Sequence, residues 1–142
     1  MSFDWPYHLA VARELTEQAK DAPPELQEAK YRAAISRAYY AVFGRARHHL
    51  QSIDGIGEPR QRRVNSNGEH INIHQYVKDT FMKSQDRDRR RIGSNLDRMR
   101  EDRNAADYDL DSGRFMNLSD RAKRNLKWAQ DTFERLDLIQ ER

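Results

Sequence analysis

Residues 25–50, ELQEAKYRAAISRAYYAVFGRARHHL, decide the fold. Ile35, Ala38, Tyr39, Val42, Phe43, Ala46 and Leu50 recur at spacings of three and four, the period of a helix with a wide apolar face. A face that broad needs cover on more than one side, so the segment reads as the central helix of an all-α protein. Pro23 and Pro24 precede it as a helix start, and Asp54-Gly55-Ile56-Gly57 come after it as a stop.

The neighbours fit a bundle. A first helix is expected from Trp5 to Lys20, with Asp4 near the cap, Pro6 in the first turn, and Ala12, Leu15 and Ala19 inward, flanked by Leu9 and Val11. A short helix from Asn72 to Lys83 carries Ile73, Tyr76, Val77, Thr80 and Phe81. A fourth, Asp86 to Tyr108, sets Ile92, Leu96, Met99, Arg103 and Ala106 on one face. The last, Leu118 to Ile139, presents Ala122, Leu126, Ala129, Phe133 and Leu136. Only Ile71-Asn72-Ile73 alternates as a strand would. The expectation is an antiparallel four-helix bundle with one additional short helix, forming a single domain over residues 1–142. Residues 54–70, rich in turn formers and arginine, read as an exposed, mobile basic loop.

Composition narrows the function. The 142 residues include no cysteine, which excludes disulfides, thiolate metal sites and cysteine nucleophiles. No run approaches the roughly 20 apolar residues of a membrane span, and the N-terminal stretch lacks a signal-peptide core, so a cytoplasmic protein with no membrane partner is expected. Lys and Arg total 26 against 23 Asp and Glu, and 20 of the 26 are Arg. Arginine suits bidentate phosphate contact and stacking on bases, although near-equal acids also fit a surface of ion pairs. Arg45, Arg47, Arg60, Arg62 and Arg63 form one basic group, and Arg87, Arg89, Arg90, Arg91, Arg98 and Arg100 another. Converging, they would track a phosphate backbone.

Arg103 stands out because its helix turns it towards the apolar face. A buried guanidinium needs an acid, a polar groove or an interface, and Asp107, one turn on, is the nearest acid. Asn104 and Tyr108 add polar groups beside it. The five histidines, His8, His48, His49, His70 and His74, have no metal-ligand spacing on a helix, so no metal or cofactor is expected. His74, in the first turn of the short helix, is a candidate polar contact or proton carrier.

Ser36-Arg37-Ala38-Tyr39-Tyr40-Ala41-Val42-Phe43, His74-Gln75-Tyr76-Val77 and Arg103-Asn104-Ala105-Ala106-Asp107-Tyr108-Asp109 together resemble a bacterial branch of the HEPN superfamily of small helical domains. The resemblance implies a dimer in which the fourth helices face a shared cleft. Active members cleave RNA there without metal, through an Arg-x(4–6)-His motif. Many are toxins paired with a nucleotidyltransferase antitoxin; others are non-catalytic partners or binding modules. Arg103 and Asn104 match the start of the motif, but Tyr108 stands where the histidine is expected, and Gly44 replaces a histidine often seen after the phenylalanine. The implied site is therefore Arg103, Asn104, Tyr108 and His74, with Asp107, Arg100, Arg45 and Arg47 as binding residues. The implied function is an RNA-directed, toxin–antitoxin-type protein with weak metal-independent endoribonuclease activity. The alternative is a non-catalytic dimer that binds a nucleotidyltransferase, nucleic acid or nucleotide.

Overall fold

The computed structural model describes residues 4–57, 72–108 and 117–142. Its helices are α1 (Trp5–Ala19), α2 (Pro24–His48), α3 (Ile73–Met82), α4 (Arg87–Tyr108) and α5 (Leu118–Gln140), and a π-helical turn over His49–Ile53 extends α2. The described residues contain no strand, and Asn72 caps α3 by accepting a hydrogen bond from the His74 amide. None of the described helices is long and apolar enough to cross a membrane.

Local chemistry sets the helix ends. Pro24 starts α2 where a missing N–H costs nothing, and Glu25 near the start with Arg45, Arg47 and His48 near the end matches the helix dipole. The Asp86 carboxylate accepts from the Arg89 amide at 2.9 Å and holds the first turn of α4. At Gly93 a Cβ would fall 2.6 Å from the Met82 side chain and 2.9 Å from its backbone nitrogen, so only glycine lets α3 lie this close to α4.

The bundle closes around α2, which packs against α1, α4 and α5 and is buried along Tyr31, Ala34, Ile35, Ala38, Tyr39, Ala41, Val42, Phe43 and Ala46. Cross-links define the directions: Arg32 donates to the Ala105 and Ala106 carbonyls, whereas Arg89 near the start of α4 grips Asp54 beyond the end of α2. Helices α2 and α4 are therefore antiparallel, as are α4 and α5, joined by Asp88–Arg135 at one end and Asp102–Arg124 at the other. The expected inward faces of α2 and α4 are buried throughout.

Three faces differ from expectation. In α1 the buried stripe is Leu9, Ala12, Thr16 and Ala19; Leu15 is half-buried and Val11 exposed. Thr16 can go inside because its hydroxyl donates to the Ala12 carbonyl at 2.9 Å. In α5 Leu126 and Phe133 sit half-buried on the shoulder, while Asn125, Thr132 and Ile139 are inside. The Asn125 amide donates to Asp102, and the Asn95 amide to Thr132, so partners on α4 make these polar positions affordable. The start of the expected mobile loop is anchored instead: Asp54 is bound by Arg89, Ile56 packs on the core, and the Tyr76 hydroxyl donates to the Gly57 carbonyl. Residues 58–70 of that loop, with Arg60, Arg62, Arg63 and His70, lie outside the described residues.

Candidate functional site

Helix α4 carries Met99, Arg103 and Ala106 inward together, and Arg103 is 5% exposed. Its charge is held mainly by aromatic rings: the guanidinium carbon lies 5.1 Å from the Tyr39 centroid, 5.2 Å from Tyr40 and 6.0 Å from Tyr108. Nη1 donates to the Tyr40 hydroxyl at 3.2 Å. The expected pairing with Asp107 is present but long, 3.9 Å, and Asp107 also accepts from Ser36 at 3.3 Å. Arg103 Nε is buried with no hydrogen-bond partner among the described residues. A buried cation with a spare donor and one distant carboxylate is only partly neutralised, and that is suited to receiving an anion.

His74 lies on the same aromatic floor. Its ring stacks on Phe43 at 4.2 Å between centroids and on Tyr39 at 5.5 Å. Burial pushes the Tyr39 phenol up to about 12, so it stays protonated. Its oxygen lies 2.6 Å from His74 Nδ1, within hydrogen-bond reach. With the phenol as donor, neutral His74 carries its ring proton on Nε2. Burial, then the charges of Arg103, Arg100 and Arg47, hold His74 down at about 4. At neutral pH it is a hydrogen-bond donor and a poor base.

Beside Tyr40 and His74 opens a cleft of about 730 Å3 lined from α1, α2, the π turn and α3, and Arg103 is not among its lining residues. Arg47 and His74 line it, beside Trp5, Arg37, Tyr40 and Gly44. Gly44 is dictated by Trp5: a Cβ there would lie 2.0 Å from the indole ring. The aromatic ring thus occupies the space that a larger residue after Phe43 would need. Tyr39, Tyr40 and Trp5 were not among the expected site residues. Tyr39 and Tyr40 were readable as adjacent tyrosines on a helix, but the Trp5 contact has no local sequence signal.

The structure brings Arg103, Tyr108, Asp107, His74, Arg100 and Arg47 to one region, through ring contacts, the ion pair or the charges acting on His74. Tyr108 is 71% exposed, and Asn104 is also exposed. Arg45 turns elsewhere, donating to Asp137 at 3.2 Å and to Gln140 at 2.8 Å on α5, because its place on α2 faces that helix. His49 is fully buried, 3.4 Å from Asp54, and belongs to the packing beneath the π turn. Among the described residues no group of three or more His, Asp or Glu is arranged to hold a metal ion. The arrangement offers cations, neutral hydrogen-bond donors and aromatic faces.

Comparison with protein-family models, curated proteins and solved structures finds no match to this chain.

Proposed function

We propose that this protein is an RNA-directed domain of HEPN type, belonging to a toxin–antitoxin pair, in which Arg103, against Tyr40 of the cleft wall, seats a phosphate beside the cleft. The carrying observation is the buried, incompletely paired Arg103 guanidinium among Tyr39, Tyr40 and Tyr108. A structural helix would satisfy that position more simply with leucine. Any cleavage is weak: Arg103 steadies charge on the phosphate, His74 donates through Nε2, and Tyr108 supplies the hydroxyl where the motif has histidine. Two protomers share the cleft, and a nucleotidyltransferase is the partner class.

A second reading has specific support. Bound to Tyr39 and held at about 4, His74 is not a base poised near neutral pH, which favours a non-catalytic dimer that binds RNA, nucleotide or a nucleotidyltransferase. Incubation of purified protein with RNA in EDTA, beside Arg103→Ala, separates the two. Cleavage that vanishes in the variant supports the enzyme. Binding without cleavage, lost in the variant, supports the module. Equal behaviour of both proteins in both assays would remove Arg103 from the function. Light scattering that finds a monomer at micromolar concentration would remove the shared cleft.

A further inference from the structure

The seam between α4 and α5 has a different construction from the cleft. Asp88, Asp102 and Asp131 lie inner, their side chains 18%, 5% and 34% exposed. Arginines lie outward over them. Arg135 donates to Asp88 and Asp131, Arg121 and Arg124 donate to Asp102, and Arg91 rests 3.6 Å from Asp131. The carboxylates fix the guanidiniums in place, while Arg91 and Arg124 remain 49% and 45% exposed. Five arginines over three aspartates, counting Arg98, give the seam an excess of two positive charges, gathered towards the Asp102 end, while Arg91 and Arg135 balance Asp88 and Asp131. From Asp88 to Asp102 the seam runs along about 21 Å of helix.

Midway sits Trp128, half-buried, with the Arg124 guanidinium 5.1 Å and the Arg98 guanidinium 5.9 Å from its ring centre. Arg98 is exposed and makes no hydrogen bond or ion pair among the described residues. It is therefore held by the ring alone. Turning towards a phosphate would cost little and would open the indole face to a base. Cations in a row with an aromatic platform between them are the chemistry of a single nucleic-acid strand.

We propose that the α4–α5 seam, with Arg91, Arg98, Arg124 and Trp128 as its contacts, is a binding track for single-stranded RNA. The proposal rests on the RNA reading above and gives the strand a contact outside the cleft. An acidic peptide would meet the same charges but would have less use for the ring.

The test is fluorescence anisotropy with a labelled 12-nucleotide 2′-O-methyl RNA, which cannot be cleaved, over a range of salt. Arg91→Gln combined with Arg98→Gln should weaken binding tenfold or more and reduce the slope of log affinity against log salt by about 1.4, the share of two lost phosphate contacts. Both substitutions leave every described hydrogen bond intact. In the unaltered protein, the Trp128 indole resonance should move on RNA addition. Absence of binding, an unmoved Trp128, or unchanged affinity and slope in the double variant would overturn the track. Equal competition by poly-glutamate would overturn it in favour of an acidic protein partner. Arg103→Met separates the two sites: loss of binding there alone would leave the cleft without the track, and loss in the seam variant alone would leave the track without the cleft.

Discussion

The Tyr39 hydroxyl and His74 Nδ1 are 2.6 Å apart, and this bond joins the central helix α2 to the first turn of α3. It fixes which imidazole nitrogen remains for the cleft. Tyr39 is 1% exposed and the Arg103 guanidinium carbon lies 5.1 Å from its ring centroid, so cation, phenol and imidazole pack in one series of contacts.

Tyr39→Phe should remove this bond while keeping the ring. Nitrogen NMR of the imidazole should find one neutral tautomer, with the proton on Nε2, in the parent protein and a mixture in the variant. Stability should fall by about 1 kcal/mol, the usual net value of a hydrogen bond. An unmixed tautomer in the variant would mean that something other than Tyr39 orients His74.

Stability should decline as pH drops from about 6.5 to about 4. Folded His74 is held at about 4, so across this window the unfolded chain binds a proton that the folded chain refuses. His49, lowered chiefly by burial, adds in the same direction. The carboxylates of Asp54, Asp86 and Asp131 are also lowered, and their contribution is lost at still lower pH, below the ordinary aspartate range. Urea midpoints at pH 7.5 and pH 5 would check this; equal midpoints would contradict it.

Arg103→Met should change the melting temperature little or raise it, because a buried cation with an unpartnered Nε is exchanged for an apolar side chain of similar length. The same variant should lose RNA or nucleotide binding in the cleft. A fall of more than about 3 kcal/mol would assign Arg103 to stability instead, the range expected when a fully used buried ion pair is broken.

Gly44→Ala should expel the Trp5 indole, since the added methyl would lie 2.0 Å from the ring. Its fluorescence should shift to longer wavelength, and the first turns of α1 should exchange amide hydrogens faster. Unchanged emission would mean that the ring does not lie over this glycine.

Asp102→Ala should cost about 2 to 4 kcal/mol, because the carboxylate binds Arg121, Arg124 and Asn125 from a position 4% exposed. Chemical denaturation measures the loss. A cost under about 0.5 kcal/mol would place this cluster with ordinary surface pairs.

Legibility in the sequence depends on where each signal resides. The inner faces of α2 and α4, including the inward turn of Arg103, were readable because apolar residues and their period lie in one segment. Thr16, Asn125 and Thr132 were not: the two threonines hide their hydroxyls on carbonyls of their own helices, and Asn125 is recognised as inward only once Asp102, 23 positions away, is placed. Candidate site residues on α4 were found from their position in the helix. The destination of Arg45 and the Trp5–Gly44 contact depend on tertiary packing, and the tautomer of His74 depends on Tyr39 from another helix.

The π turn makes chain length critical where α2 ends. The Asp54 amide reaches back five residues to the His49 carbonyl, and the Asp54 carboxylate then meets Arg89. Deleting one residue between His49 and Ile53 would return the backbone to the tighter α repeat and rotate the downstream chain by about 100°. Asp54 would swing off Arg89, stranding that guanidinium beside a sealed-in imidazole. Substitution at the exposed Gln51 and Ser52 is therefore tolerable, whereas a single-codon deletion there unlatches α2 from α4.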